Sequence, residues 1–124
     1  MTITIKDTKD INPDAIITLY KANQWSSAEK PNELYNALLN SHSLITAWHE
    51  DRLVGLGNAL SDGFLVVYYP HLLVHPDYQG KGVGPMILDK FKKKYGGFHQ
   101  QILVADGKAI EIYEKCGFEL AGQS

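Results

Sequence analysis

The sequence predicts an α/β protein organised around one mixed sheet, and three observations support that prediction. The 124 residues are close to the commonest size of a single domain, so residues 1–124 are interpreted as one domain with one core. Apolar residues make up 44% of the chain and charged residues 21%, which is typical of a globular protein. Segments with strand and helix periodicity follow one another in the order β-α-α-β-β-β-α-β-α-β, without repeats or linkers.

The first third of the chain predicts a short strand and two amphipathic helices. Ile3 and Ile5 alternate with threonines, which indicates a strand. Asn12 and Pro13 are typical of an N-cap and a first helical position, and residues 23–31 are predicted to be a loop. Helical spacing places these apolar side chains on one face of each helix: Ala15, Ile16, Leu19 and Tyr20 in the first, and Leu34, Tyr35, Leu38 and Leu39 in the second.

The middle of the chain predicts a hairpin followed by a long, interrupted strand. Residues 44–48 and 53–57 have strand character and are joined by a short acidic turn at 50–52. Residues 64–74 form the longest β-rich run. Pro70 within that run predicts a bulge or a lost ladder hydrogen bond, because proline has no N–H to donate.

The last third predicts a loop, two helices and two short strands. After a loop at 76–84, apolar residues recur every four positions up to Tyr95, and Gly96 ends that helix. The remaining segments are predicted to be a strand at 101–105, a helix at 108–116 closed by a glycine, and the start of a last strand at 118–120.

The charge balance and the single thiol exclude several classes of protein. Twelve basic and fourteen acidic side chains leave a net charge of −2, so no general attraction to nucleic acid or to an anionic membrane surface is expected. Cys116 is the only cysteine, which excludes an intrachain disulfide and a cysteine-based zinc site. Neither a secretion signal nor an apolar span of about 18 residues is present, so we expect a soluble protein of the reducing cytoplasm.

Three alternating glycines, Gly80, Gly82 and Gly84, separate the long strand from the helix that follows. Without a Cβ they allow a sharp turn and a close approach of a ligand to backbone N–H groups, and a helix N-terminus favours phosphate. Lys81 adds a positive charge. The spacing does not match a P-loop, and Pro85 stands where the dinucleotide fingerprint needs its third glycine. The glycines alone leave two interpretations open, a phosphate site and a turn that only caps a helix.

Two motifs favour the phosphate site, because together they resemble the cofactor-binding segments of a known family. The apolar strand is followed by Gln79-x-x-Gly82-x-Gly84. Further downstream lies Ala109-x-x-x-Tyr113-x-x-x-Gly117-Phe118. Both motifs, in this order and within this alternation of strands and helices, are similar to those of the GNAT superfamily of N-acetyltransferases. The resemblance covers roughly residues 40–121 of the chain.

The resemblance implies a three-layer α/β/α fold that binds acetyl-CoA as a co-substrate and uses no metal. Backbone groups of Leu72 and Val74, with Leu73 between them, would pair with the pantetheine amides as an added strand does in β-augmentation. The pyrophosphate would be held by a loop that consists of Gln79, Gly80, Lys81, Gly82, Val83 and Gly84. Asp106 would either accept a hydrogen bond from a pantetheine amide or cap the following helix.

The implied reaction is direct acetyl transfer from the thioester to a primary amine of a small molecule or a protein. Tyr113 matches the family's usual acid, since a phenol with a pKa of about 10 is protonated at pH 7 and can donate to a departing thiolate. The alternative is that Tyr113 only packs against the sheet.

The base is harder to assign, because Tyr68 occupies the position at which relatives often carry it. A neutral phenol is a poor base, so Tyr68 would instead order a chain of waters. Residues two apart share a strand face, which predicts that Tyr68 and Pro70 lie on the face of Leu72 and Val74. His71 is expected on the opposite face unless a bulge moves it, and it is either a second candidate for the base or a strand-edge histidine.

In relatives, the segment that joins the first two helices forms the acceptor pocket together with the end of the last hairpin, which implies Tyr20 and Trp25 here. Trp25 would attract an amine through a cation–π contact, or fold back onto the core. A metal is not predicted at His71 and His75, because four strand residues span about 13 Å, too far for one ion.

Compared with that family, the chain is short after the Gly-Phe pair. Only residues 119–124 follow, so a last strand is predicted to be missing, lost by truncation or supplied by a partner chain. We therefore expect an open or partner-completed sheet beyond the strand at 101–105, and a possible homodimer. The weak base position leaves one alternative function open, a catalytically silent acyl-CoA-binding regulatory module.

Overall fold

A computed structural model describes residues 1–103, 113–115 and 117–118. Its strands are β1 (Thr4–Asp7), β2 (Ser43–His49), β3 (Arg52–Ser61), β4 (Val66–Tyr69), β5 (Leu72–Val74) and β6 (Gln100–Leu103). Its helices are α1 (Pro13–Ala22), α2 (Pro31–Leu39) and α3 (Val83–Tyr95), with short 3₁₀ turns at Ser26–Glu29 and Pro76–Tyr78.

The six strands form one mixed sheet, as the sequence predicts. β1, β2, β3, β4 and β6 are neighbours in that order, and β5 pairs with β3. These pairs are antiparallel except β4 and β6, which run parallel. A parallel pair needs a long crossover connection, and α3 lies in the chain between these two strands.

Helices cover both faces of the sheet, which confirms the α/β class and the three-layer arrangement. The face covered by α1 and α2, here called the α1 face, buries the sheet residues Leu56 and Leu73. The face covered by α3, here called the α3 face, buries Val67 and Tyr69. Each helix packs the apolar stripe that its spacing predicts, with Leu19, Leu38, Ile87 and Phe91 all buried.

The start of α1 lies where the sequence predicts it. The side chain of Asn12 accepts a hydrogen bond from the N–H of Asp14 at 2.8 Å, and Pro13 is the first helical residue. An asparagine cap satisfies one N–H that the helix cannot pair, and proline removes another. The predicted loop over residues 23–31 contains the 3₁₀ turn at Ser26–Glu29.

The long β-rich run is interrupted at Pro70, as predicted, and forms two strands that follow different partners. β4 pairs with the end of β3 and with β6. β5 pairs with the middle of β3, at Gly55 to Gly57. In the part of the chain that the structure describes, β6 pairs with β4 and not with β5, so the outer edge of β5 is open.

α3 packs closely on β3 through two glycines of that strand. A Cβ on Gly57 would lie 2.8 Å from Cε2 of Phe91, nearer than side chains approach one another, and a Cβ on Gly55 would lie 3.0 Å from Cγ1 of Val83. Glycine at these positions lets α3 lie directly on the sheet.

Several predictions fall wholly or partly outside the described residues. They include the end of the strand at 101–105, most of the helix at 108–116, the last strand, and the positions of Asp106 and Cys116. None of the helices in the described part of the chain has the length and apolar character that crossing a membrane requires.

Candidate active site

A cavity of about 550 Å³ opens where the free edge of β5 meets the glycine loop. Its wall includes Trp25, the whole of β5, most of the loop from Gln79 to Gly84, and Tyr113. The structure therefore brings together in one cavity residues that the sequence assigns to the cofactor, to the acceptor and to catalysis. Lys81 belongs to the same loop but does not line the cavity, and its Nζ lies 5.7 Å from the ring centre of Tyr78.

In the described part of the chain, no strand pairs with the edge of β5 that faces away from β3, and this edge borders the cavity. The N–H of His75 donates to the carbonyl of Val54 at 2.8 Å, and the carbonyl of His71 accepts from the N–H of Asn58 at 3.1 Å. Because successive residues of a strand alternate their hydrogen-bonding direction, Leu72 and Val74 point their N–H and C=O groups away from β3. The carbonyl of Val74 accepts a hydrogen bond from Nε2 of Gln79 at 3.0 Å, which ties the loop to the strand.

The side chains of β5 divide between the two cores. Leu73 is buried in the core of the α1 face. Leu72 and Val74 pack against the core of the α3 face. The strand is therefore held from both sides by apolar contacts while its outer backbone edge stays accessible, which is the arrangement that main-chain recognition needs.

The glycine loop turns sharply into α3. Gly80 has a φ of +78° and Gly82 a φ of +84°, in the left-handed region that favours glycine. Gly82 is the N-cap of α3 and supplies no side chain to cap it. The first N–H groups of the helix at Val83 and Gly84 therefore face the cavity side without a capping side chain, at the positive end of the helix dipole.

The bulge between β4 and β5 is held by a buried asparagine. Oδ1 of Asn58 accepts a hydrogen bond from the N–H of His71 at 2.9 Å, which the interrupted ladder cannot pair with a carbonyl. Nδ2 of Asn58 donates to Oγ of Ser41 at 3.0 Å, and that hydroxyl donates to the carbonyl of Ala37. Asn58 is only 4% exposed, so these hydrogen bonds offset the cost of burying its amide.

The ring of His71 lies on the α1 face, against the end of α1. The Tyr20 hydroxyl and Nδ1 of His71 are 2.8 Å apart. The Trp25 ring meets the His71 ring edge-on at 5.0 Å between centres, and meets the Tyr20 ring edge-on at 5.5 Å. Burial lowers the pKa of His71 and raises the pKa of Tyr20, so both groups are neutral near pH 7.

A helix-ending motif carries Trp25 to this position. The N–H of Trp25 donates to the carbonyl of Tyr20 at 3.1 Å, and the N–H of Gln24 donates to the carbonyl of Lys21 at 3.0 Å. Gln24 has a φ of +59°, so α1 ends in a Schellman motif with a left-handed glutamine where glycine is usual. Trp25 packs against the core of the α1 face, which is one of the two alternatives for it, and it also lines the cavity.

The predicted orientation of Tyr68 is wrong. Val67 and Tyr69 are buried in the core of the α3 face, so Tyr68 between them points to the α1 face. The extra residue of the bulge shifts the alternation, and Tyr69 instead shares a face with Leu72. Tyr68 consequently shares a face with His71 and not with Leu72 and Val74.

Tyr113 is the described residue of the second motif that reaches the cavity. It is half-buried in a helical segment and lines the same cavity as β5. In the part of the chain that the structure describes, no group of three or more histidine, cysteine, aspartate or glutamate side chains is arranged to hold a metal ion.

Sequence reasoning missed two features of this site, the role of Asn58 and the contact between Tyr20 and His71. A signal for the first was present, since an asparagine inside an apolar strand needs a buried partner. The second depends on how the end of α1 crosses the sheet, and no local pattern reports that.

Known proteins are similar to most of this chain in sequence or fold. The family model described as the acetyltransferase (GNAT) domain matches residues 7–124. An uncharacterized N-acetyltransferase, ycf52, of Gracilaria tenuistipitata var. liui is 31% identical over 68 residues, which are 53% of this chain. The match covers 37% of that relative, so the chain spans about a third of its length.

Solved structures agree with that match. A GNAT family acetyltransferase of Streptococcus pneumoniae TIGR4 is 29% identical, with a TM-score of 0.86 over 96% of this chain and 89% of that one. The protein AAC(6')-Iy, solved in complex with a bisubstrate analog, CoA-S-monomethyl-acetylneamine, shares the fold at 12% identity, with a TM-score of 0.78 over 100% of this chain and 95% of that one. The family match spans far more than half of the sequence, and the chain belongs to the GNAT acetyltransferase family.

Proposed function

We propose that this chain transfers an acetyl group from acetyl-CoA directly to a primary amine of a small molecule or a protein. The observation that carries the proposal is the open backbone edge of β5, which continues into an uncapped helix N-terminus along one wall of a single cavity. A ligand with an extended chain of amides followed by a pyrophosphate would match an open strand edge that leads to a helix N-terminus. Acetyl-CoA is such a molecule.

The cofactor would bind along β5 and the glycine loop. The pantetheine amides pair with the outward N–H and C=O groups of Leu72 and Val74, with Leu73 holding the strand from the opposite side. The pyrophosphate is bound by backbone N–H groups of the segment from Gln79 through Gly80, Lys81, Gly82 and Val83 to Gly84. Asp106 remains part of this proposal as a partner for a pantetheine amide.

The thioester would lie between β5 and Tyr113. Attack of the amine on the carbonyl carbon breaks the C–S bond, and Tyr113 donates its phenolic proton to the departing thiolate. Its place on the cavity wall supports this role. Tyr68 orders water on the α1 face, where it lies on the same side of the sheet as His71.

The acceptor would enter on the α1 face against Trp25, which lines the cavity. Tyr20 is fully buried and does not line the cavity, so its part would be to hold the Trp25 ring, which it meets edge-on. An electron-rich aromatic face attracts an amine that is still protonated and holds its apolar body by dispersion. The Trp25 ring supports an amine carried on an apolar or aromatic group.

A panel of ligands in a thermal-shift assay tests the cofactor part of the proposal. Acetyl-CoA at 100 times its dissociation constant stabilises the folded state by about 2.7 kcal/mol, whereas NAD, FAD and ATP leave the melting temperature unchanged. Thiol release with a library of amines then separates an enzyme from a catalytically silent acyl-CoA-binding module, which would shift its melting temperature but release no thiol. No shift with acetyl-CoA would contradict the proposal.

A further inference from the structure

The proposed reaction leaves one proton without a destination. An alkyl ammonium has a pKa near 10 and must lose a proton before its nitrogen can attack. We propose that His71 accepts that proton at Nε2, an inference that rests on the proposed function. Tyr20 and Asn58 are the positioning residues that hold its imidazole in place.

Geometry places His71 at the junction of the two proposed binding surfaces. Its neighbour Leu72 belongs to the cofactor strand, and its ring touches Trp25, which lines the cavity. Nδ1 is engaged by Tyr20, whereas Nε2 has no hydrogen-bond partner among the residues that the structure describes. His71 is half-buried and does not itself line the cavity, so one nitrogen is held and the other would receive the proton through a bridging water.

The surroundings of His71 keep the imidazole neutral and able to accept a proton. The ring is contacted by Tyr20 from α1 and by Trp25 from the turn after α1, and Asn58 from β3 binds the backbone of the same residue. None of these groups carries a charge near pH 7, since burial raises the pKa of Tyr20. Burial also lowers the pKa of His71 below its ordinary value of about 6.5, so the unprotonated form dominates at neutral pH.

Two hydrogen-bonding residues fix the position of the ring. Asn58 binds both the N–H and the carbonyl of the His71 backbone, which fixes the bulge from which the side chain projects. A phenol can donate or accept, so Tyr20 stays bonded to Nδ1 before and after the proton arrives. With Nδ1–H donating to the Tyr20 oxygen, the lone pair of Nε2 is free to receive the proton.

The protons of the reaction then balance. The ammonium gives one proton to Nε2 of His71, and the free amine attacks the thioester carbonyl carbon. As the C–S bond breaks, Tyr113 protonates the thiolate, and it regains a proton from the nitrogen as that nitrogen becomes an amide. The single proton left on His71 passes to solvent, which is the net proton that acetylation of an ammonium releases.

The experiment compares His71→Gln with a matched control, His42→Gln. His42 also has its Nδ1 bonded to a tyrosine hydroxyl, that of Tyr95 at 2.6 Å, but it lies away from the cavity. We expect His71→Gln to lower kcat about 100-fold at pH 7, the lower end of the range for general base catalysis, and to leave the acetyl-CoA dissociation constant unchanged. His42→Gln keeps the wild-type kcat.

The pH profile separates a proton acceptor from a merely structural histidine. In the wild type, kcat rises with pH along an acid limb whose midpoint matches the titration of the His71 ring measured by ¹⁵N NMR. His71→Gln loses that limb. Tyr20→Phe, which removes the acceptor for Nδ1–H, moves the limb to lower pH because the imidazolium is less stabilised.

The possible failures are distinguishable. If the wild type releases thiol and His71→Gln matches it in rate and in pH profile, this inference is overturned and the proposed function stands. A wild-type acid limb that does not match the NMR titration overturns it as well. If the wild type releases no thiol with any amine, the proposed function fails and the inference falls with it.

Discussion

The hydroxyl of Tyr20 lies 2.8 Å from Nδ1 of His71, although 51 positions separate the two residues in the chain. That hydrogen bond joins the last turns of α1 to the bulge between β4 and β5. The wall assigned to the acceptor and the strand assigned to the cofactor are therefore held in one fixed relationship, which proximity of two substrates requires.

Tyr113→Phe tests the proposed acid. Removing the hydroxyl leaves the thiolate to depart unprotonated, so we expect kcat to fall about 100-fold while acetyl-CoA binds as before. Thiol release and calorimetric titration measure the two quantities. Tyr35→Phe is the control, because Tyr35 packs against the core of the α1 face and does not line the cavity. An unchanged rate in Tyr113→Phe would remove Tyr113 as the acid.

Gly82→Ala tests the turn into α3. At a φ of +84° an alanine costs about 1–2 kcal/mol, and relief of that strain would reorient the N–H groups that bind pyrophosphate. We expect a lower melting temperature and weaker binding of acetyl-CoA. Gly97→Ala is the control, since a Cβ there meets nothing within 4 Å. Equal acetyl-CoA affinity in the two variants would argue against the loop as the phosphate site.

Asn58→Ala tests whether the bulge depends on its side chain. The substitution leaves the partly buried N–H of His71 without its acceptor, which costs about 1–3 kcal/mol of folding free energy. Urea denaturation measures the lost free energy of folding. We also expect acetyl-CoA to bind more weakly, because the bulge that positions β5 loses a hydrogen bond. Asn36→Ala, an exposed change on α2, should have neither effect. Retention of full stability by Asn58→Ala would show that the bulge is held by other contacts.

His71 also predicts how folding stability depends on pH. Its pKa is lowered in the folded protein, so below about pH 6.5 the unfolded chain binds a proton that the folded chain resists. Stability therefore falls as the pH drops through that value. Melting temperatures of the wild type and His71→Gln between pH 7.5 and 5.5 measure the effect, and the variant should lose less stability over that interval. His99→Gln, at an exposed site, should behave as the wild type does.

Local sequence patterns predicted several elements of the fold, and in the site they predicted the glycine turn and the outward edge of β5. The cap of α1, the interruption at Pro70 and the glycine turn into α3 follow from the short-range preferences of asparagine, proline and glycine, and all three are present. The outward edge of β5 follows from alternation along one strand. The face of Tyr68 was predicted wrongly because one extra residue in the bulge reverses alternation beyond it, and the position of such a residue is set by Asn58 on another strand.

The contact between Tyr20 and His71 could not be predicted from either segment. It requires the end of α1, the Schellman turn at Gln24 and the bulge at His71 to meet across the sheet. The last two of these are locally unusual, since the turn has a left-handed glutamine and the bulge interrupts a strand ladder. Departures from local preference concentrate where residues from distant elements are brought together for chemistry.

Thiol release from acetyl-CoA by the wild-type chain, with each amine of a library, tests the central claim most directly. We predict release of CoA that requires both the chain and an amine, fastest for amines on apolar or aromatic groups, with the amine gaining the mass of one acetyl group. Binding of acetyl-CoA without thiol release for any amine would contradict the account and leave a silent binding module in its place.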